Sequence, residues 1–457
     1  MEISWVINYN AALITNIIAI VLLWRKYQVA SLLHPFNYYL ATWILSLLSF
    51  GVAISVGLDS FLISDEKLLS QLMFTIAFVG GVISLVLFKA KKPAFRGTLN
   101  WYIPHRIIKI IGYIILILGL FLIATKGFDV ATNRFSSLDS NRTEALEGQR
   151  QGVLGVIIGV FFFLKMPLLI YNGCQFYKMI VIKVEPLKFD IFFVLAGSIL
   201  ETIASGGRSA IVSSLSYFFI GIILNHIKSR QTVSNFTFIK KIIVLAIVPV
   251  LLLSTYINFV AQERTKKQGS SSVTSELLSK SYLGEHFYGV MEYSIFHYLG
   301  YQLRMNDSAT EDLELGQYTF QVITTYNLPI VSQVLRSEIN LATLLDLKKI
   351  DNNIANENSK SIDLANAGIT STVFYVLYDD FGFYGSLAVI VLFIFFTQNI
   401  FNKLLTSDIR GFYSIVLWVF IFDLWKYTWF SHHLNGPIFN SYLYAAVVLF
   451  LLNKKIN

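Results

Sequence analysis

The chain has 457 residues, of which 55% are hydrophobic and only 14% are charged, and it carries 38 phenylalanines and 24 tyrosines. This composition is far more apolar than the core of a soluble protein requires, so it excludes a soluble enzyme and predicts an integral membrane protein. Basic loops on one side of the membrane account for most of the formal net charge of +8, so no nucleic-acid partner is needed to explain it.

Apolar runs long enough to cross a bilayer recur along the chain. A helix needs about 20 apolar residues to span about 30 Å of hydrocarbon, and a helix satisfies its own backbone there. The first run lacks a basic leader and a small-residue cleavage site, so we interpret it as an anchor and not as a removable signal peptide. We predict about eleven spans, at residues 5–24, 36–58, 68–88, 107–125, 151–171, 189–204, 209–227, 242–259, 385–401, 411–430 and 438–452.

Lysine and arginine cluster in alternate loops, which predicts the orientation of the chain. Basic clusters follow the first, third, fifth, seventh and ninth runs, and another lies in the C-terminal tail. Because such loops stay in the cytoplasm, we expect the N-terminus outside and the C-terminus inside. Anionic lipid at the inner face is then a sufficient partner for the basic loops.

One long polar stretch interrupts the apolar runs and divides the chain into three parts. Residues 1–260 are predicted to form a bundle of about eight spans, and residues 373–457 a second bundle of about three. Residues 261–372 lie between them as one large, partly helical extracytoplasmic loop. The predicted fold class is therefore an all-α integral membrane protein.

The turn between the sixth and seventh runs carries the first candidate site, in the sequence from Glu201 to Ala210. Gly206 and Gly207 before a helix start expose backbone N–H groups, the helix dipole adds positive potential, and Arg208 supplies a bidentate fork. This combination predicts an anion site suited to phosphate. The alternative is a tight turn in which Arg208 snorkels or pairs with Glu201.

Two further candidates lie at the same outer face. Glu263 and Arg264 follow the eighth run, where a charge cluster is either functional or a solvated helix end. Asp379 and Asp380 precede Gly382 at the entry to the ninth run. A helix break there would place the aspartates over a cavity, whereas in an intact helix they could serve as caps.

The large loop is rich in aromatic residues, including Tyr282, Tyr288 and Tyr318, and it also carries His286. These rings either pack on the outer membrane face or stack on sugar rings. Cys174 is the single cysteine of the chain, which excludes disulfides and cysteine metal sites. No Walker loop, Rossmann fingerprint, zincin helix or nucleophile elbow is present in the sequence.

Taken in order, these motifs resemble the bacterial oligosaccharide repeat unit polymerases, also called Wzy-type O-antigen polymerases. The resemblance covers roughly residues 201–400 and agrees with the many spans and the single large outer loop. Its motifs are Ser205-Gly206-Gly207-Arg208 opening a span, Gln262-Glu263-Arg264 after the next, Tyr282-Leu283 and Gly316-Gln317-Tyr318-Thr319-Phe320 in the loop, and Asp380-Phe381-Gly382-Phe383-Tyr384-Gly385 before the ninth run.

The resemblance implies transfer of a growing glycan from its polyprenyl diphosphate carrier to the non-reducing sugar of a new lipid-linked unit, at the outer face of the bacterial inner membrane. The product would be O-antigen, capsule or another exopolysaccharide. Arg208 and Arg264 would bind the diphosphate together with Gly206 and Gly207. Glu263, Asp380 or His286 would take the acceptor proton, and Tyr282, Tyr288 and Tyr318 would bind glycan. The resemblance implies no cofactor or metal, and it implies a chain-length regulator and a flippase as partners.

Three alternatives remain open at this point. An O-antigen ligase shares the lipid diphosphate donor and differs mainly in its acceptor. A flippase or exporter should carry charges distributed through a central cavity, whereas most spans here are uncharged. A lipid-linked-sugar glycosyltransferase would use an acid in the first outer loop, where Asp65 and Glu66 lie, but it would have its N-terminus inside.

Overall fold

The structure is a computed structural model that describes residues 3–55, 65–91, 99–100, 105–124, 153–186, 188–204, 209–229, 234–247 and 373–410, together with residues 251, 255, 419 and 425. The described part is helical apart from one short strand pair. The α-helices are α1 Ile3–Tyr27, α2 Pro35–Ser55, α3 Glu66–Lys89, α4 His105–Leu122, α5 Val153–Phe176, α6 Phe193–Ala204, α7 Ser209–Lys228, α8 over residues 235–247, and α9 Val373–Thr406.

Shorter elements connect these helices. A 3-10 helix, Gln28–Leu33, joins α1 to α2, and another, Phe189–Phe192, leads into α6. A π-helical turn, Tyr177–Val181, continues α5. Strands β1, Leu99–Asn100, and β2, Ile409–Arg410, pair in parallel.

The predicted membrane character is confirmed for part of the chain. Four helical stretches among the described residues are long and apolar enough to cross a membrane: Ser4–Leu33, Pro35–Ser55, Glu66–Lys89 and Asp380–Thr406. Each coincides with a predicted apolar run. The total of eleven spans stays a prediction, and the large loop at residues 261–372 lies outside the described residues.

Helices α1 and α3 pack along much of their length through small and polar side chains. Asn8 Nδ2 donates to Ser70 Oγ at 2.8 Å, and Ser84 Oγ donates to the carbonyl oxygen of Thr15 at 3.3 Å. Between apolar helices in lipid, such hydrogen bonds contribute only about 0.6 to 2 kcal/mol each, because the polar groups also find partners when the helices are apart.

Two other helix pairs approach closely at facing glycines. Helices α5 and α7 meet at Gly173 and Gly221, where an added Cβ on either residue would lie 2.0 Å from a backbone carbonyl oxygen of the other helix. Helices α4 and α6 meet at Gly119 and Gly197, where the corresponding distance is 2.6 Å. Only glycine permits such backbone contact, which is the packing typical of helices that associate in a membrane.

Helix α9 is joined to α2 by a cluster of aromatic rings around Trp425. The ring of Trp425 lies 4.8 Å from that of Phe36, 5.6 Å from that of Tyr39 and 5.2 Å from that of Phe393. Its indole N–H donates to Thr397 Oγ1 at 2.7 Å. The polar atom of this buried tryptophan is thus satisfied inside the cluster.

Lysine side chains cap the C-terminal ends of several helical segments at one end of the molecule, which we call the lysine-capped end. Lys26 reaches carbonyl oxygens at the end of α3, Lys228 those at the end of α9, and Lys241 one at the end of the π-helical turn. Lys26 Nζ donates to the carbonyl oxygens of Phe88, at 2.9 Å, and Ala90. Lys228 Nζ donates to those of Leu405, at 3.1 Å, and Ser407, at 2.9 Å. Lys241 Nζ donates to that of Val181, at 3.0 Å. A cation at a helix C-terminus satisfies orphan carbonyls and the helix dipole together.

The helix ends at the lysine-capped end are those that the basic loops follow in the sequence. The Lys26 and Lys228 contacts join the last residues of α1 to those of α3 and the last residues of α7 to those of α9. The pairing of β1 with β2 links the segments that follow α3 and α9. The position of these helix ends together agrees with the predicted alternation, while the side of the membrane that this end faces stays a prediction.

Candidate functional site

Helix α9 breaks at Gly382, inside the motif that the sequence placed at the entry to the ninth run. Gly382 has φ 66° and ψ 179°, and the residues on both sides of it are helical. Backbone angles in this region are essentially restricted to glycine, because a Cβ would clash with the neighbouring peptide groups. A break that requires glycine inside an apolar helix is a candidate functional position.

Asp380 lies two residues before this break and is completely buried, with 0% of its surface exposed. It stands two turns after Val373, the first residue of α9, and just before the helical segment that continues beyond Gly382, so the site role and the capping role both stay predictions. An ionisable group at membrane depth is costly and is usually retained for function. Asp380, the first residue of the candidate span Asp380–Thr406, therefore stays a candidate site residue.

Asp380 is the one predicted site residue that falls within the described part of the chain. Residues 205–208, which we call the glycine-arginine turn, lie outside the described part. So do residues 261–372, the predicted large loop with its aromatic residues. The predicted residues in those segments are Gly206, Gly207, Arg208, Glu263, Arg264, Tyr282, His286, Tyr288 and Tyr318.

The helices on either side of the glycine-arginine turn are described, and they end where the sequence predicted. Helix α6 ends at Ala204 and α7 begins at Ser209. Arg208 therefore immediately precedes the first residue of a 20-residue helix. This is the chain order that the predicted anion site requires.

Glu201, one turn before the end of α6, forms an ion pair with Lys165 of α5. Pairing of Glu201 with Arg208, the alternative to the anion site, stays a prediction because Arg208 lies outside the described residues, and Lys165 was not a candidate in the sequence analysis. Both side chains are largely buried, with 13% of Lys165 and 21% of Glu201 exposed. A charged pair between apolar helices is a second candidate feature near the glycine-arginine turn.

Lys165 could have been found from the sequence. It lies within the predicted fifth span, in the run Val160-Phe161-Phe162-Phe163-Leu164-Lys165-Met166. A lysine inside a predicted span is a functional candidate by default, and the search should include its partner. That Glu201 is the partner could not be predicted from the sequence, because the two residues meet only through the packing of α5 against α6.

Asp65, the acid considered for a different class of glycosyltransferase, has a structural role. Its carboxylate Oδ1 accepts from the backbone N–H groups of Lys67 at 2.9 Å and Leu68 at 3.1 Å. Asp65 is therefore the N-cap of α3, where a carboxylate satisfies orphan N–H groups. This position needs no catalytic explanation.

Two buried histidine clusters near the lysine-capped end were also missed by the sequence reasoning. In the first, His34 Nε2 lies 3.1 Å from Gln398 Oε1, and Gln398 Nε2 donates to the Tyr27 hydroxyl at 2.5 Å. Burial lowers the pKa of His34 to about 3, and the hydrogen bond to Gln398 opposes this only in part. His34 is therefore neutral at physiological pH and links α9 to the α1–α2 connection.

The second cluster surrounds His226 near the end of α7. His226 Nδ1 lies 3.0 Å from the Tyr177 hydroxyl, and Nε2 lies 3.1 Å from Asn235 Oδ1. Its ring stacks on Phe238 at 3.8 Å between centroids, and Asn235 Nδ2 donates to Gln28 Oε1 at 2.8 Å. Both ring nitrogens thus have protein partners, which indicates a structural role in joining α5, α7 and α8.

Comparison with protein-family models, with curated proteins and with solved structures finds no match to this chain. The resemblance to the repeat unit polymerases therefore rests on the motifs quoted above. Within the described residues, no group of three or more histidine, cysteine or acidic residues could hold a metal ion. The candidate features among the described residues are Asp380 at the α9 break and the Lys165–Glu201 pair.

Proposed function

We propose that the protein polymerises polyprenyl-diphosphate-linked oligosaccharide units at the outer face of the bacterial inner membrane. The observation that carries the proposal is the break of α9 at Gly382 beside the buried Asp380. This break falls within the Asp380–Gly385 motif, in the first helix after the large polar segment. A simple membrane span needs neither a broken helix nor a buried carboxylate.

In the proposed reaction, a hydroxyl of the acceptor's non-reducing sugar attacks the anomeric carbon of the donor glycan. The bond from that carbon to the diphosphate oxygen breaks, and polyprenyl diphosphate leaves with the bonding electrons. Asp380, Glu263 or His286 takes the hydroxyl proton. Arg208 and Arg264 stabilise the negative charge that develops on the leaving diphosphate, a task suited to preorganised cations.

The α6–α7 junction supports the placement of the donor diphosphate. Ser209 begins α7, so the junction combines a helix N-terminus with the preceding Arg208. The positive end of the helix dipole and a guanidinium fork both favour a phosphate group. In the proposed topology the chain has about eleven spans, with the N-terminus outside and the C-terminus in the cytoplasm. This topology places the junction at the outer face.

The test is the surface-glycan profile of a deletion strain, examined together with its lipid-linked intermediates. We expect single repeat units where the parent strain shows a ladder of chain lengths. Complementation with the wild-type gene should restore the ladder, and R208A should not, although its membrane abundance should match that of wild type. Normal long chains from R208A would contradict the proposed anion site.

The same experiment separates the two alternatives. Long lipid-linked polymer that never reaches its final acceptor would identify a ligase. Repeat units trapped on the cytoplasmic leaflet would identify a flippase or exporter. Either result would overturn the polymerase proposal.

A further inference from the structure

Gly385 is a second glycine at the α9 break, and its backbone angles do not explain it. It lies three residues after Gly382, inside the helical segment of residues 383–406, and among the described glycines only Gly382 has a positive φ. A Cβ added at Gly385 would lie 2.9 Å from the Cβ of Phe381. In an uninterrupted helix, Cβ atoms four residues apart are separated by about 5 to 6 Å. The break therefore brings Phe381 against Gly385, and the missing Cβ provides the space.

An alanine at position 385 would displace the chain at the break. Carbon atoms in contact are about 3.5 to 4.0 Å apart, so the 2.9 Å separation would have to grow by about 0.6 to 1.1 Å. Rotation about χ1 does not move the Cβ of Phe381, so no change of rotamer relieves this contact. The backbone on one side of Gly382 must therefore move.

The two segments of α9 are each fixed by packing, so the displacement is confined to the region of the break. Before the break, the Phe374 ring stacks on Trp43 at 5.6 Å between centroids. After the break, Thr397 Oγ1 accepts from the indole N–H of Trp425 at 2.7 Å. The residues next to the break, which lie between these anchors, therefore take up the displacement.

We infer that Gly385 is a positioning residue, which seats Phe381 against the second segment of α9 and so fixes the place of the Asp380 carboxylate. The inference rests on the proposed function, in which Asp380 is a candidate base for the acceptor hydroxyl. Asp380 directly precedes Phe381 in the chain, so a displacement of Phe381 moves it as well. A misplacement of about 1 Å can slow a reaction about 100-fold, because the reacting atoms no longer align.

Substitutions at position 381 test whether the contact with Phe381 is the cause. F381A keeps the Cβ that an alanine at 385 would meet, whereas F381G removes it. We expect G385A to lower polymer formation by about 10- to 100-fold, and by the same factor when it is added to F381A. When it is added to F381G, polymer should stay within about twofold of F381G alone, because the contact no longer exists.

The D380N background tests whether Gly385 acts through Asp380. If it does, G385A should change the residual polymer of D380N by no more than about twofold, because the group that it misplaces is already absent. If Gly385 serves the reaction without Asp380, G385A lowers polymer by the same factor in both backgrounds. If Gly385 serves only the stability of α9, polymer per folded molecule is unchanged. Either of the last two results overturns the inference.

All variants are expressed as full-length protein in the deletion strain. Mass spectrometry of the lipid-linked glycans gives the ratio of polymer to single repeat units, and size-exclusion chromatography of the solubilised membranes gives the amount of folded protein. The matched control is G112A in α4, where an added Cβ would meet Val194 at 3.5 Å, an ordinary contact. G112A should form polymer as wild type does. If G385A does not accumulate as folded protein, its effect is on folding and the positioning role is overturned.

Failure of the inference can be told apart from failure of the proposed function. If the deletion strain keeps its ladder of chain lengths, the proposed function itself is wrong. If D380N lowers polymer and G385A does not, or if F381G fails to restore it, only the role of Gly385 is overturned. If G385A lowers polymer and D380N does not, Asp380 is not the group that Gly385 positions.

Discussion

The two ends of the molecule use charged residues in opposite ways. At the lysine-capped end, Lys26, Lys228 and Lys241 all donate to backbone carbonyl oxygens at the ends of helical segments. Toward the other end, Lys165 pairs with a carboxylate, and Asp380 is buried beside a broken helix. The first arrangement completes helices, whereas the second places ionisable groups where a helix alone would not need them.

This contrast separates residues that stabilise the fold from residues available for chemistry. A lysine that caps a helix is already satisfied by the fold, so its removal should lower stability and leave the reaction unchanged. A buried carboxylate at a helix break costs stability, so its removal should affect the reaction and leave the fold intact. Substitutions at the two ends test this division.

The largest expected effect is that of D380N beside the break in α9. Asparagine keeps the shape of the side chain but cannot accept a proton, so a general-base role predicts a loss of about 10²- to 10⁴-fold in polymer formation. Abundance in the membrane should stay near that of wild type. Glycan ladders normalised to immunoblots measure both, and an unchanged ladder would remove Asp380 from the site.

The next effect is that of G382A at the break itself. Alanine is strained at φ 66° and ψ 179°, by about 1 to 3 kcal/mol, so α9 should straighten or shift around Asp380. We expect polymer formation to fall about tenfold or more, which corresponds to about 1.4 kcal/mol or more of transition-state stabilisation.

The matched control for this substitution is G81A, in the middle of α3. A Cβ at Gly81 would meet nothing within 4 Å, and the backbone there is helical. Alanine should therefore be neutral or should stabilise α3 by up to about 1 kcal/mol. If G382A and G81A formed polymer equally well, the break in α9 would have no functional meaning.

The helices could be predicted from the sequence better than the contacts between them. Apolar runs alone located α1, α2, α3 and α9, because a membrane span is specified by length and hydropathy. The break at Gly382 was considered because glycine and aspartate stood together. By contrast, the Lys165–Glu201 pair joins residues of different helices, and no local pattern encodes which helices become neighbours.

The basic loops illustrate the same limit at the other end. Lys26, Lys228 and Lys241 were predicted only as topological signals, on the basis of their clustering after apolar runs. Their acceptors depend on which helix ends lie beside them in the fold. The sequence therefore predicted the end of the bundle at which these lysines lie, but not the carbonyl oxygens that they bind.

A smaller effect, on stability alone, is expected from K228M at the lysine-capped end. Lys228 is buried, and its ammonium donates to the carbonyl oxygens of Leu405 and Ser407. Loss of these bonds should lower the free energy of unfolding by about 1 to 3 kcal/mol. Polymer formed per folded molecule should not change, and K178M, at a more exposed lysine, should have almost no effect on either quantity.

Thermal unfolding in detergent measures the stability of K228M, and the glycan ladder measures its activity. A drop in activity per folded molecule would show that the lysine-capped end takes part in the reaction. The division of roles between the two ends would then be wrong.

The smallest expected effect is a pH dependence of stability that comes from His34. This residue lies between the candidate spans Ser4–Leu33 and Pro35–Ser55, and burial lowers its pKa from 6.5 to about 3. Below pH 6.5 the unfolded chain binds a proton that the folded protein does not. Stability is therefore full above this pH and falls as the pH drops toward 3.

The substitution H34Q isolates this contribution, because glutamine can still reach Gln398 but does not titrate. Between pH 7.5 and 5.5, one such histidine lowers the free energy of unfolding by about 1.4 kcal/mol. Wild type should lose that much more stability than H34Q over this range, with thermal unfolding as the measure and polymer formation per folded molecule unchanged. Equal losses in the two proteins would mean that water reaches His34 in the folded protein. The contact between His34 and Gln398 would then not be a fixed part of the fold.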